Sequence, residues 1–245
     1  MNAAPPDFHY TGTEILEVML EAKRYNRFLT DQIMKNRIRT GPILDFGAGI
    51  GSFSELVRDR GVKVDCLEID SNQCEILREK GFQVFAASEA IPDESYDYIF
   101  SLNVFEHIQD DVAALKECAR ILRPGGGLYI YVPAFPILFG AMDRKVQHCR
   151  RYTRASLRAI SEQAGLKVSQ TAYVDIAGFF ASLAYNATSD GSGDISRKQI
   201  EIYDRFVFPI SRLIDHATQG FIGKNVFSVS HKPESAGPRD VKALR

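Results

Sequence analysis

The sequence predicts an α/β domain built on a doubly wound, parallel sheet. Three observations point there. A short apolar run ending in a carboxylate, Ile43-Leu44-Asp45-Phe46, is followed by glycines at alternate positions, Gly47, Gly49 and Gly51. That pattern reads as strand, tight turn and helix start. Strand-like and helix-like segments then alternate up to about residue 132, as expected of parallel strands joined by right-handed crossovers. Finally, 245 residues of ordinary globular composition suffice for one large domain.

The elements follow in order. Residues 1–10 are expected to be disordered. From Thr13, apolar residues recur at Ile15, Leu16, Met19, Leu20, Phe28 and Ile33, which predicts one or two helices. Residues 1–40 are read as a helical lid, with Tyr25 and Asn26 placed to touch a cofactor or simply to pack. The first strand is Ile43–Phe46, and a helix from Ser52 to Arg60 ends at Gly61. The second strand is Val62–Ile69, followed by a helix over Asn72–Lys80 that Gly81 stops. Phe82–Ala86 and Tyr96–Leu102 make the third and fourth strands. Asp110 and Asp111 mark an N-cap, and Pro124-Gly125-Gly126-Gly127 breaks the helix before a fifth strand, Leu128–Val132. Thr153 caps a helix to Ala164, and Leu166–Val174 is the sixth strand. Residues 176–186 and 199–218 are helical, parted by a flexible loop over 188–194, and Val226–Ser230 is the seventh strand. Thus 41–233 form the main domain, 175–225 its helical insertion, and 234–245 a disordered tail.

Composition narrows the function. Lys+Arg total 30 against 31 Asp+Glu, a net charge of -1, so no global field favours nucleic acid. The first seven residues lack the basic and apolar stretches of a secretory leader. The longest apolar run, 176–185, is too short to cross a bilayer. Four cysteines with no C-x-x-C pair suit reduced thiols in the cytoplasm, and five scattered histidines give no reason to expect a metal.

The glycine turn lies where open α/β sheets bind ligands. A pyrophosphate favours bare N–H groups; Asp45 instead suits a ligand bearing an ammonium or sulfonium, or else it accepts the loop's own N–H groups. Glu68, 21 positions after Gly47, can accept both hydroxyls of a ribose. Asp70 is read as its bystander. Ala87-Ser88-Glu89 follows the third strand, and Asn103-Val104-Phe105-Glu106-His107 the fourth. His107 is read as packed or helix-capping.

These pieces, with Ile91-Pro92-Asp93-Glu94-Ser95-Tyr96-Asp97-Tyr98-Ile99 and Leu122-Arg123-Pro124-Gly125-Gly126, stand in family order over about residues 40–135. Here the chain resembles the class I S-adenosylmethionine-dependent methyltransferases. The resemblance implies a Rossmann-like, mostly parallel seven-stranded sheet with its last strand antiparallel. It implies S-adenosyl-L-methionine as cofactor and S-adenosyl-L-homocysteine as product. Asp45, Gly47, Ala48, Gly49 and Gly51 would hold the methionine moiety, Glu68 with Ile69 the ribose, and Ser88 and Glu89 the adenine side. Asn103 and Val104 would lie beside the transferable methyl. The family often carries Asp after the third strand, where this chain has Ser88.

The acceptor side is expected in 135–158 and 175–225. The run from Asp143 to Arg158 holds six basic residues and one acid. Arg144, Arg150 and Arg151 are candidates to clamp a carboxylate or phosphate, unless they pair with neighbouring acids. His148 is the candidate general base and Tyr152 its orienting partner. The Asp-x₄-His-x-Arg-Arg-Tyr pattern is similar to bacterial methyltransferase-like sequences of unassigned substrate. Ile202, Phe206, Ile210, Leu213 and Ile214 share one helix side, kinked by Pro209. Such a stripe usually packs into a core; a membrane-surface contact, suited to a lipid-like acceptor, is the alternative.

The expected function is methyl transfer to a small molecule, anionic or lipid-linked, with oligomeric state open. An NAD-dependent oxidoreductase fits worse, because the third fingerprint glycine falls at Ser52. A cofactor-binding sensor or partner protein, and a methyltransferase for RNA or protein, are the other rivals.

Overall fold

The structure is a computed structural model that describes residues 18–188 and 196–234. The readings of residues 1–10, of most of the loop at 188–194 and of the tail lie outside that range. Seven strands form one sheet in the order β3-β2-β1-β4-β5-β7-β6. They are β1 (Ile43–Phe46), β2 (Val64–Leu67), β3 (Gln83–Phe85), β4 (Tyr96–Leu102), β5 (Leu122–Pro133), β6 (Lys167–Val174) and β7 (Asn225–His231). β7 runs antiparallel to both neighbours, and the pairings among β1 to β5 are parallel. The expected mostly parallel sheet with an antiparallel last strand is therefore present.

Alternation along the inner strands sends side chains to two cores, so both faces are covered. Leu44, Ile99, Leu128 and Ile130 point to one face, against Leu115 and Cys118 of α4 (Asp111–Ile121) and Leu157 of α6 (Arg154–Gln163). Ile43, Tyr98, Phe100, Tyr129 and Tyr131 point to the other, against Leu29 and Ile33 of α1 (Lys23–Asn36) and Val57 of α2 (Ser52–Arg58). Helix α3 (Ser71–Glu79) flanks β2 and β3, and Asp70 caps it by accepting the N–H groups of Asn72 and Gln73. A short α5 (Ala141–Lys145) follows β5.

Two differences from the sequence reading have physical causes. Strand β5 starts at Leu122 rather than Leu128, because Leu122 already pairs with Tyr96 and a register shift absorbs the Pro-Gly-Gly bulge. Gly125 N–H and Gly126 C=O bond to Lys232 beyond β7, which satisfies that bulge. The insertion holds α7 (Ile176–Thr188), α8 (Arg197–Ile202), a π turn (Tyr203–Val207) and α9 (Phe208–Thr218). The π turn sits just ahead of Pro209, whose missing N–H opens the helical ladder there.

The expected core packing of the α8–α9 stripe is overturned. Phe206 is 58% exposed, Ile210 61% and Leu213 79%, with Ile202 and Ile214 also exposed. The buried side of this segment is instead Asp204, Phe208, Ser211 and Asp215. The acids turn inward because each satisfies orphan N–H groups at another helix start. Asp204 accepts from Arg24 and Tyr25 of α1; Asp215 accepts from Asp175 and Ile176 at the start of α7.

Candidate active site

Strands β1 to β6 deliver their carboxyl ends to one edge, and the backbone there is unusual. Gly47, after β1, has φ 80, and a Cβ on it would lie 2.5 Å from Val104 Cγ2. Only glycine lets Val104 approach so closely. Asn103 after β4, Phe135 after β5 and Asp175 after β6 are all non-glycine residues with positive φ, at 54, 59 and 70. Strained backbone gathered at one edge marks a functional site.

The glycine loop is braced from β2. Gly47 and Ala48 donate to Leu67 C=O at 2.8 and 3.1 Å. Glu68 accepts from Gly49 N–H at 2.7 Å through one oxygen, and from Ile69 and Asp70 N–H through the other. Asp45 does not bond the loop. It accepts from Ser54 Oγ, 2.6 Å away on α2. Burial pushes the Asp45 carboxyl up to about 7, against the Ser54 bond and aided by the Glu68 charge. Burial also raises Glu68, against its three backbone bonds. The cradle is thus short of positive charge, which fits a sulfonium- and ammonium-bearing donor better than a diphosphate. Ile69 beside it is exposed, Ser88 is buried and Glu89 exposed, and the Asn103 side chain is exposed at the end of β4.

Across the edge, a 3₁₀ turn at Phe105–His107 meets the segment after α5. His148 Nδ1 lies 2.7 Å from Asp143 Oδ1 and its Nε2 lies 3.7 Å from Glu106 Oε1. Arg151 grips both oxygens of Asp143, at 2.8 and 3.0 Å, and Gly140 N–H adds a third bond. Burial works against the Asp143 carboxylate, but His148, Arg151 and Gly140 outweigh it and hold the pKa down at about 2. Glu106 is 0% exposed, and burial pushes it up to about 8. His107 stacks edge-on to His148 with centroids 4.6 Å apart. Burial, and then His148, lower His107 to about 4. Burial likewise lowers the Lys224 ammonium, in the field of Asp175, Arg151 and Asp143.

A methyltransferase domain model matches residues 20–171. The chain belongs to the methyltransferase domain family. A relative from Mycolicibacterium smegmatis is 27% identical over 69% of this chain and 70% of its own length, and its name reads "Probable S-adenosylmethionine-dependent methyltransferase". A "Ubiquinone biosynthesis O-methyltransferase" of Idiomarina loihiensis is 32% identical over 36% of this chain and 40% of its own. Among solved structures, a SAM-dependent methyltransferase from Thermotoga maritima superposes with a TM-score of 0.61 at 19% identity, over 89% of this chain and 94% of that one. The donor named for the Mycolicibacterium smegmatis relative and for the Thermotoga maritima structure is the one the motifs imply.

In this methyltransferase the expected arginine clamp is not free. Arg150 pairs with Asp111 at 2.7 Å and with Gln109 C=O. Arg151 is committed to Asp143 and Ala134 C=O. Of the three candidates, Arg144 alone is exposed. Tyr152 is also a correction: it is buried, and its hydroxyl donates to Asp111 Oδ2 and Phe105 C=O rather than orienting an acceptor. The acids that consume these groups lie on α4 and α5, so no local pattern announces the pairing. Glu106, Asp143, Asp175 and Lys224 were not assigned roles from sequence. The Glu-His pair after β4 was visible there, but not its meeting with His148, 41 positions after His107.

Proposed function

We propose that this methyltransferase transfers the methyl group of S-adenosylmethionine to an oxygen of a lipid-like small molecule that it meets at an apolar surface. The observation that carries this reading is the outward-facing stripe of α8 and α9. Beside it α7 has no charged residue in thirteen positions and exposes Phe180. An aromatic path leads inward from there. Phe180 meets Phe179, Phe179 meets Phe135, and Phe135 stacks on Tyr173, with centroids 5.4, 5.4 and 4.5 Å apart. Phe135 is the strained residue at the end of β5. These contacts run from exposed Phe180, beside the stripe, to Phe135 at the end of β5, so that end of the sheet edge presents an apolar lining to an acceptor. The spent arginines weaken the anionic alternative, and relatives named as O-methyltransferases of ubiquinone biosynthesis favour an oxygen acceptor.

Bound S-adenosylmethionine supplies a methyl already activated by its sulfonium. The protein's part is alignment, water exclusion and management of one proton. Asp45 and Glu68 hold negative charge beneath the donor. Val104, pressed against Gly47, sets the wall between donor and acceptor. Asp143 fixes His148 through Nδ1, leaving Nε2 either to take the acceptor's proton itself or to ligate a cation that would lower the hydroxyl pKa so that solvent takes the proton. Helix α1 packs over the sheet face through Tyr25, whose hydroxyl lies 3.0 Å from that of Tyr131, and would shield the donor as a lid.

The test uses labelled donor with two acceptor pools, a lipid extract and a water-soluble extract from one bacterial culture. Label in the lipid pool is expected. Transfer confined to the soluble pool would overturn the lipid-like acceptor.

A further inference from the structure

We propose that Glu106, His107 and His148 form a binding site for one divalent transition-metal ion. One ligand atom from each residue lies within 4.8 Å of the other two, and His148 Nε2 stands 3.7 Å from Glu106 Oε1. With metal–ligand bonds of about 2.0–2.2 Å, neighbouring donors of a tetrahedral site sit roughly 3.3–3.6 Å apart. Side-chain movement on the order of one ångström closes the cluster.

An independent observation points to the ion. Glu106 is fully buried, and neither carboxylate oxygen has a hydrogen-bond partner. A buried carboxylate is costly unless a cation or donors meet it. The nearby guanidinium cannot, because Arg151 is bound to Asp143 and Ala134 C=O. The imidazoles are held from behind. His148 Nδ1 rests on Asp143, and the backbone carbonyls of Gln147 and Val146 hydrogen-bond to His107. Metal-binding histidines are oriented in this way, one nitrogen on a carboxylate or carbonyl and the other on the ion.

The fold also stitches the two segments together. Cys149 N–H donates to Glu106 C=O at 2.7 Å, and Gln147, at φ 61, makes the sharp turn that brings His148 onto the Phe105–His107 turn. Two imidazoles and one carboxylate suit Zn²⁺, Fe²⁺ or Co²⁺ rather than Mg²⁺ or Ca²⁺. Three protein ligands leave coordination positions open, where oxygens of an acceptor can bind. Ion binding does not depend on the identity of the acceptor.

The test uses the tag-free full chain, stripped with a chelator and titrated with Co²⁺ and Zn²⁺. Calorimetry reads stoichiometry, and the visible absorption of Co²⁺ reads its ligands. One ion per chain is expected, with a rise in the wild-type melting temperature. Glu106→Gln and His148→Asn should each weaken binding at least about tenfold, while binding of S-adenosylhomocysteine stays as in wild type. That control separates loss of the ion from loss of the fold or of the donor site. Cys149→Ser should bind as wild type. No ion at one equivalent, no thermal shift in the wild type, or unchanged binding by Glu106→Gln would overturn the site.

Discussion

Asp204 accepts the backbone N–H of Tyr25 at 2.8 Å, and that of Arg24 at 2.9 Å, from a position about 180 residues further along the chain. Residue Ala22, at the cap position of α1, offers no side-chain bond. The insertion therefore caps the N-terminal helix from outside it. Around this contact Phe208 packs on Tyr25 and Phe28, and Arg212 lies 4.0 Å over the Phe28 ring. Replacing Asp204 by Ala strands two N–H groups and removes the cap. A loss of about 1–2 kcal/mol is expected in urea unfolding, with proteolysis increased in α1 and α8 together. Wild-type protection retained in either segment of the variant would show that they are not coupled.

Gly47 makes a second, separable prediction. Its alanine variant suffers twice, from the contact with Val104 and from left-handed φ. Adding Val104→Ala removes the first penalty and leaves the second, about 1–2 kcal/mol. The double variant should thus be more stable than Gly47→Ala alone, measured by thermal unfolding. If the two substitutions simply add, Val104 does not set the space at Gly47.

The glycine turn and the succession of buried strands were legible because each is a local pattern with one physical meaning. A left-handed φ with a side chain pressed against the Cα, as Val104 presses on Gly47, needs glycine, and a near-continuous apolar run such as Tyr96–Leu102 needs a strand buried on both faces. The α8–α9 stripe misled for an equally physical reason. Periodicity shows that two faces differ, not which one is buried, and Asp204 and Asp215 reverse the usual choice by capping other helices. The arginines failed likewise. Arg150 and Arg151 read as a free anion clamp because Asp111 and the fold of Asp143 onto them are invisible in a linear charge count. His107 and His148 looked scattered until one bend at Gln147 joined them.

The stripe itself is testable without disturbing the fold. Phe206 and Leu213 are so exposed that Phe206→Ser with Leu213→Ser should change stability by no more than about 0.5 kcal/mol per site. Charges exposed near them are Arg197, Lys198 and Arg205 against Glu201, a positive balance, while Asp204 and Asp215 are turned inward. Wild-type protein should therefore co-sediment with anionic phospholipid vesicles, less so at high salt, and the double variant should lose most of that binding. Wild-type protein that ignores such vesicles would remove the membrane from the proposed function.

Asp45 supplies the pH dependence. Its folded-state pKa of about 7 lies above that of an unfolded aspartate, near 3.9. Between those values the native state holds a proton that the unfolded state releases, so the Asp45 contribution to ligand-free stability falls as pH rises from about 4 to 7 and is flat beyond. Donor binding should run the other way, since a cationic ligand favours the ionised carboxylate. Affinity for S-adenosylmethionine is expected to climb through pH 6 to 8 and then level. Asp45→Asn should remove that contribution from both profiles, raising ligand-free stability near neutral pH while weakening donor binding. Calorimetric titrations across the range, paired with melting curves of both proteins, check the two opposite slopes. Identical slopes in wild type and Asp45→Asn would locate the titrating group elsewhere.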